Sequence, residues 1–261
     1  MHTHRVEQHR SSMHGVAAMT LLSSRSFPRH AHDQFGLGVL LDGAQRSWSC
    51  VGQVESQPGD AIMVNPGEMH DGMPIGGARA WRMLHLAPEL VARELDGADT
   101  ELVHPSVRDP ILAALFVRLF ARITQLPADL LAVEEALART LAHVARNHVT
   151  HPRVVPPSGP VAKARQRLDD APAEATSLQE LATLTGLSRF QLVRSFAREV
   201  GVTPHAYLIQ RRVSRVRQLL AAGATLADAA LQAGFADQSH MNRAFVRQFG
   251  VTPGRYRAAL A

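Results

Sequence analysis

The amino-acid sequence predicts a two-domain α+β protein, with a sheet-rich N-terminal domain and an all-helical C-terminal domain. In the first 150 residues, short apolar runs alternate with turn signals made of Gly, Pro, Asp and Asn. After residue 160 the apolar pattern becomes helical, and one helix-turn-helix pattern occurs twice. We therefore expect an N-terminal domain at 1–150 and a C-terminal domain at 161–261, joined by a linker at 151–160.

Five apolar runs in the N-terminal domain have the length and composition of β-strands. Turns are expected between them at Asp42-Gly43, at Pro58-Gly59-Asp60 and at Asn65-Pro66-Gly67. Several short strands without intervening helices predict a small β-barrel or jelly roll. The predicted strands are Val16–Leu22, Phe35–Leu41, Arg46–Val51, Ala61–Val64 and Ala80–Leu86.

Two amphipathic helices are predicted within residues 107–148. The first carries an apolar stripe from Ile111 to Ile123, which favours packing against the sheet of the same chain. The second has apolar residues at near-heptad spacing, and we expect it to join two chains in a homodimer, with packing inside one chain as the alternative. This second stripe consists of Leu130, Leu137, Leu141 and Val144.

The C-terminal domain repeats one pattern, first in Ser177–Pro204 and again in Thr225–Pro253. Each copy begins with a residue that caps a helix, has a glycine where that helix must end, and closes with Gly-Val-Thr-Pro. Each copy therefore predicts a helix, a tight turn and a second helix. The residues in register are Leu181/Ala229, Ala182/Ala230, Gly186/Gly234, Phe196/Phe245, Gly201/Gly250, Val202/Val251, Thr203/Thr252 and Pro204/Pro253.

The second helix of each copy has one apolar face and one polar face. Arg, Asn and Gln on a polar face suit hydrogen bonding to the edges of bases. A solvated surface is the alternative for any single helix, but two matched copies favour DNA. The candidate DNA-contacting residues are Arg189, Phe190, Val193 and Arg194 in the first copy and Gln238, Ser239, His240, Asn242 and Arg243 in the second.

The residues between the two copies predict a single connecting helix. The segment Pro204–Ala222 contains no glycine and no internal proline. At 1.5 Å per residue it would be about 28 Å long, near the roughly 34 Å between successive major-groove faces of B-DNA. Its arginines either contact phosphates or face solvent, and they are Arg211, Arg212, Arg215 and Arg217.

The charge distribution agrees with binding to double-stranded DNA. Residues 159–261 contain 14 Lys+Arg and 7 Asp+Glu, whereas the rest of the chain contains 14 and 16. The single cysteine, Cys50, excludes an internal disulfide and is typical of a cytoplasmic protein. No apolar run approaches 18 residues, so we expect no membrane span.

Two stretches of the chain resemble the AraC/XylS family of bacterial transcription regulators. Residues 161–257 resemble its DNA-binding domain, most specifically in GFADQSHMNRAFVRQFGVTPGRYR. Residues 29–86 resemble its cupin-type sensor domain through RHAHDQFGLGVLLDGAQR, QPGDAIMVNPGEMHDG and WRMLHL. The resemblance implies a non-enzymatic regulator that binds an operator, contacts RNA polymerase, dimerises through helices beside the barrel and responds to a small molecule. By position, the family's base-contacting sites fall on Phe190, Val193, Arg194, Gln238, Ser239, His240 and Arg243.

The barrel is predicted to enclose a small-molecule effector site. His30, His32 and His70 offer three nitrogens to a metal, but the glutamate that completes the cupin motif is missing, so a metal is the less favoured hypothesis. Two rivals remain: a barrel that only dimerises a constitutive DNA-binding protein, and a cupin metalloenzyme fused to a DNA-binding domain. The candidate lining residues are His30, His32, Trp48, Met63, His70, Trp81, Arg82 and His85.

Overall fold

The computed structural model describes residues 3–49, 51–95, 100–150 and 159–259. The described residues form two compact units, one that ends at residue 150 and one that begins at residue 159. Cys50 and most of the predicted linker lie outside the described residues.

The N-terminal unit is built on one antiparallel sheet of eight strands. Its strands are β1 (His4–His9), β2 (Val16–Ser23), β3 (Phe27–His30), β4 (Phe35–Ser49), β5 (Gly52–Ser56), β6 (Ala61–Val64), β7 (His70–Leu86) and, in a later segment, β9 (Ser106–Val107). They pair in the order β1-β2-β7-β4-β6-β9, while β3 attaches to β7 and β5 to β4. The short strands β8 (Glu101–Leu102) and β10 (Val149–Thr150) form a separate pair.

Side chains alternate along each strand, and buried apolar residues lie on both faces of this sheet. On β7, Leu84 belongs to a core shared with the helices, whereas Trp81 and Met83 belong to a second core on the opposite face. Phe27 of β3 packs edge-on against Trp81, with ring centroids 5.9 Å apart. The sheet therefore curls around the second core, although its pairing path is open and ends at β1 and β9 instead of closing into a full barrel.

Two of the three predicted turns are confirmed, and the third is wrong. Turns occur at Pro58-Gly59 and Pro66-Gly67. At Asp42-Gly43, however, β4 continues through a register shift against β7. Gly43 has φ 71°, and a Cβ there would lie 2.5 Å from the carbonyl oxygen of Ala78. This glycine therefore allows a bulge with close backbone contact instead of a hairpin.

Three helices pack on one face of the sheet, namely α1 (Pro88–Glu94), α2 (Pro110–Thr124) and α3 (Leu130–Asn147). The predicted dimer stripe on α3 is wrong for three of its four residues. Leu137, Leu141 and Val144 are buried in the core of their own chain, and only Leu130 is exposed, at 61%. These three residues of α3 are therefore already buried against the sheet and α2 of their own chain.

Seven helices make up the described part of the C-terminal unit, and local signals define most of their ends. They are α4 (Pro160–Asp170), α5 (Leu178–Thr185), α6 (Arg189–Val200), α7 (Pro204–Ala221), α8 (Leu226–Gln232), α9 (Gln238–Phe249) and α10 (Pro253–Ala258). Ser177 and Ser188 each form a complete capping box, and Thr225 caps α8. Gly201 and Gly250 end α6 and α9 in the left-handed conformation. The two predicted helix-turn-helix units, α5–α6 and α8–α9, are thereby confirmed as local structures.

A tight joint connects the first helix-turn-helix unit to the second. The loop before α5 passes beside Gly234, where an added Cβ would lie 2.8 Å from the Cα of Ala173. The Arg212 guanidinium on α7 donates hydrogen bonds to the carbonyl oxygens of Pro172 and Glu174 in the same loop. Because α7 also contacts α8 and α9, the joint sets the orientation of the first helix-turn-helix unit relative to the second.

Candidate DNA interface and effector site

The buried faces of α6 and α9 anchor each helix within its own helix-turn-helix unit. Leu192 and Phe196 on α6 are fully buried, as are Met241 and Phe245 on α9. Each pair is spaced four residues apart, so one stripe of the helix is anchored and the opposite stripe is turned to solvent.

On α6, three of the four predicted DNA-contacting residues are exposed. Arg189 and Arg194 face solvent, and Phe190 is 73% exposed, which is unusual for an aromatic side chain. Val193 is half-buried at the edge of the stripe. The face therefore offers two cations and one aromatic ring to a partner.

On α9, the structure separates the five predicted residues into two groups. Gln238, Ser239 and Arg243 are exposed. The ring of His240 instead packs edge-on against Phe235, with centroids 5.2 Å apart. The Oδ1 atom of Asn242 is buried and has no hydrogen-bond partner among the described residues. His240 and Asn242 are thus less accessible to a partner than the sequence pattern indicated.

The exposed residues of the two helices occupy matching positions, because Phe196 and Phe245 are in register. Arg194 corresponds to Arg243, and the half-buried Val193 corresponds to the half-buried Asn242. Neither Arg194 nor Arg243 has a hydrogen bond or ion pair with another described residue, so both guanidinium groups are available to bind a base or a phosphate.

The arginines of α7 serve mainly to hold the unit together. Arg211 pairs with Asp169 of α4 at 2.8 Å, and Arg212 belongs to the joint described above. Arg217 is buried, and only Arg215 of the four is exposed. The sequence left phosphate contact and solvent exposure as equal alternatives, and the structure gives three of these side chains a third role inside the unit.

Four histidines meet in the N-terminal unit, although they come from distant parts of the sequence. The ring centroid of His70 lies 4.3 Å from that of His30 and 5.0 Å from that of His32. His85 lies 4.9 Å from His32. All four rings belong to residues that the sequence proposed for the effector site, and we call them the histidine cluster.

Backbone hydrogen bonds fix the tautomers of three of these rings. The Nδ1 atoms of His30, His32 and His70 lie 2.8–3.0 Å from backbone carbonyl oxygens. A carbonyl only accepts, so each Nδ1 carries the proton and each neutral ring keeps a lone pair on Nε2. Burial lowers the pKa of His30, and burial together with the neighbouring imidazoles places the pKa of His70 well below its ordinary value. His30 and His70 are therefore neutral near pH 7, and each keeps an acceptor on Nε2.

The other predicted lining residues do not join the histidine cluster as one site. Met63 lies in the core shared with the helices, and the Arg82 guanidinium sits 5.0 Å above the ring of Phe120 on α2. Strand alternation explains this, because Arg82 and His85 are an odd number of residues apart and point to opposite faces. Arg82 and His85, both predicted to line the effector site, therefore cannot contact the same ligand from one face of the sheet.

Trp81 and Trp48 have partners of their own. Trp81 is buried in the second core, and the guanidinium of Arg79 lies 4.7 Å above its ring. Trp48 is half-buried beneath the guanidinium of Arg29, at 3.7 Å. Both contacts are cation–π interactions that stabilise the sheet.

The sequence gave no sign of the buried Arg79. Its side chain is 1% exposed and donates to Gln45 and to the carbonyl oxygens of Arg25 and Gly72. Burial lowers its pKa to about 10, so it remains charged at neutral pH. Arginine side chains normally face solvent, and the sequence carries no signal that distinguishes this one.

Comparisons with known proteins identify the family. The AraC-like ligand binding domain matches residues 18–138, and a helix-turn-helix domain matches residues 181–259. The HTH-type transcriptional regulator YbfI of Bacillus subtilis, itself uncharacterized, is 33% identical over 228 residues, covering 83% of this chain and 82% of YbfI. The chain belongs to the AraC family of transcription regulators. The family consists of DNA-binding regulators rather than enzymes, so the metalloenzyme alternative is set aside.

Other relatives extend over both units of this AraC-family chain. The thermoregulatory protein LcrF of Yersinia pestis is 26% identical over 253 residues, covering 87% of this chain and 90% of LcrF. ToxT of Vibrio cholerae has the same two-domain fold: an apo ToxT variant gives a TM-score of 0.56 at 12% identity, covering 97% of this chain and all of that one. ToxT with an unsaturated fatty acid bound gives 0.52 at 12% identity, covering 98% and 94%. In the described part of this chain, no helix is long and apolar enough to cross a membrane.

Proposed function

We propose that this regulator reads two successive major-groove segments of its operator, one with α6 and one with α9. The observation that carries the proposal is the matched pair Arg194 and Arg243, exposed at equivalent positions of two rigidly connected units. The 18 residues of α7 give a helix about 27 Å long, which suits this spacing.

The geometry ranks the candidate contacts. Arg194 and Arg243 are placed to donate bidentate hydrogen bonds to guanine, and Phe190 to contact a thymine methyl group. Arg189, Gln238 and Ser239 lie at the helix N-termini, where a backbone phosphate or a base edge is bound. Val193, His240 and Asn242 shape the surface beneath these residues. The partner of this face is double-stranded DNA. The regulator would act in the cytoplasm and contact RNA polymerase there.

The histidine cluster is the effector site in this proposal. The Nδ1 atoms of His30 and His70 are engaged by carbonyls, so their Nε2 atoms can accept hydrogen bonds from a ligand. Arg82 points to the other face, so the site lacks the cation expected for an anionic ligand. We therefore assign to it a small neutral or cationic molecule that carries hydroxyl or amine donors, rather than a resident metal. Within the described residues, no set of three histidines from the cluster has donor atoms within 4.8 Å of one another.

A homodimer remains part of the proposal, but through a different surface from the one that the sequence indicated. Leu126, Leu130 and Leu131 are 53–76% exposed where α3 begins. Exposed leucines within six residues of one another are costly to leave in water, so a second chain is expected to cover them. Dimerisation would raise the effective concentration of the DNA-binding units on paired sites.

The test is operator binding by full-length protein, with the site selected from random DNA. Arg243→Ala and Arg194→Ala are each expected to cost about 1–3 kcal/mol on the selected site and less on random DNA, since base contacts carry discrimination. The matched control is Arg139→Ala, an exposed arginine on α3 that pairs with Glu135. Equal losses on both DNAs would make these arginines phosphate contacts, and no loss would refute the proposed interface.

A further inference from the structure

Two histidines and a carboxylate meet where the start of α2 approaches the end of α3. Asp109 is the residue that caps α2, and its Oδ1 atom accepts hydrogen bonds from the backbone nitrogens of Ile111 and Leu112. His143 lies in the last turns of α3, and His148 caps its C-terminus. All three residues are therefore held by the ends of two packed helices.

Both imidazoles point at the same carboxylate oxygen. Nε2 of His143 lies 2.7 Å from Oδ2 of Asp109, and Nε2 of His148 lies 2.8 Å from it. The three side chains are 8–16% exposed. Among the described residues, this group of three has its possible ligand atoms within 4.8 Å of one another. The second oxygen of Asp109 is occupied by the helix cap, which leaves Oδ2 as a single, oriented donor.

One nitrogen of this cluster is left without a hydrogen bond by the residues that the structure describes. The Nδ1 atom of His148 is buried and has no hydrogen-bond partner among the described residues. An unpaired buried polar atom is costly. Because Nδ1 and Nε2 lie on opposite sides of the ring, the partner that Nδ1 needs lies away from Asp109. The residue as a whole is 7% exposed.

We propose that Asp109, His143 and His148 bind a divalent first-row transition-metal ion, for which Zn²⁺ is the probe. Two imidazoles and one carboxylate suit such an ion, and zinc sites often combine three protein ligands with an open position. With zinc–ligand bonds of about 2.0–2.2 Å, a tetrahedral site separates its ligand atoms by roughly 3.3 Å. The observed separations need to open by only about half an ångström.

The surroundings supply the remaining requirements of the site. The exposed ring of His104 lies 6.5 Å from that of His148, centroid to centroid. It is placed either to accept the proton of His148 Nδ1 or to move in as a fourth ligand.

The proposal is tested by measuring the zinc affinity of the full-length protein. Metal is first removed with a chelator, and zinc is then titrated in competition with a chromophoric chelator. We expect one tight site per chain, weakened at least tenfold by Asp109→Asn and by His143→Gln. Asparagine caps helices as well as aspartate does, so the first variant removes the ligand charge while keeping the cap. The surface variant His14→Gln is the matched control and should leave the affinity unchanged.

A second readout separates coordination from folding. Co²⁺ bound in place of zinc should give visible absorption bands typical of a nitrogen and oxygen site, and these should vanish in His143→Gln. The metal-free variants should keep the wild-type circular dichroism spectrum. Unchanged zinc affinity in both variants would overturn the assignment, and so would a tight site that His70→Gln abolishes, because that metal would then lie in the histidine cluster.

Discussion

Gly234→Ala should change the relative orientation of the two helix-turn-helix units, and so weaken operator binding, while both units remain folded. Gly234 has φ 82°, and an added Cβ would lie within 3.0 Å of three backbone atoms of Ala173. Backbone atoms cannot rotate away as a side chain can, so the loop before α5 must shift. That loop belongs to the first unit and Gly234 to the second, so the shift changes their relative orientation.

Gly223→Ala provides a matched control for the backbone term. Gly223 has φ 90°, but nothing lies within 4 Å of the added Cβ. Each substitution should lower the free energy of unfolding by roughly 1–2 kcal/mol, because alanine is strained in the left-handed conformation. Gly234→Ala should lower it by a further amount of about 1–3 kcal/mol, because the added Cβ overpacks against Ala173. The difference between the two variants therefore isolates the contact with Ala173.

Two measurements on full-length protein test this reasoning. Urea unfolding followed at 222 nm reports mainly on the helical C-terminal unit and should rank Gly234→Ala below Gly223→Ala. Operator affinity, measured where both variants remain folded, should fall at least tenfold more for Gly234→Ala. Equal stability and equal affinity in the two variants would show that the joint with Ala173 does not set the orientation of the units.

Three further predictions address spacing, communication and pH. One residue inserted near Gln218 rotates the second unit by about 100° relative to the first, so specific binding should collapse while the helical content stays constant; an unchanged footprint would mean that one unit alone reads DNA. The fragment 158–261 should bind the operator without responding to effector, and more weakly on paired sites; a fragment that still responds would place the sensor in the wrong unit. The folded pKa of His70 is depressed, so the unfolded chain binds more protons below about pH 6.5, and stability should fall as the pH drops through that value. His70→Gln should flatten this pH dependence, measured by thermal unfolding, whereas His14→Gln should not.

The helical unit could be predicted closely from the sequence, because its signals act over a few residues. Capping residues such as Ser177 and Asp237 satisfy backbone groups of the adjacent turn, and Gly201 supplies a left-handed residue at a helix end. Strand β6 and two turns were also predictable from local composition. The repeat itself indicated a DNA-binding architecture, since two copies share caps, apolar spacing and turns.

The candidate sites depended on contacts that no local pattern encodes. The sequence proposed four histidines for one site, but it also added Met63 and Arg82, whose strand positions turn them to the other face. Periodicity showed that Leu137 lies on the apolar face of its helix, but it did not show whether that face packs on a second chain or on the sheet of its own chain.

The cluster of Asp109, His143 and His148 forms only where two helix ends meet, and sequence spacing gives no hint of it. The sequence by itself determined which helices and strands form, because hydrogen bonding and backbone conformation are satisfied locally. The tertiary structure alone decided which side chains share a site, because burial and distance depend on segments far apart in the chain.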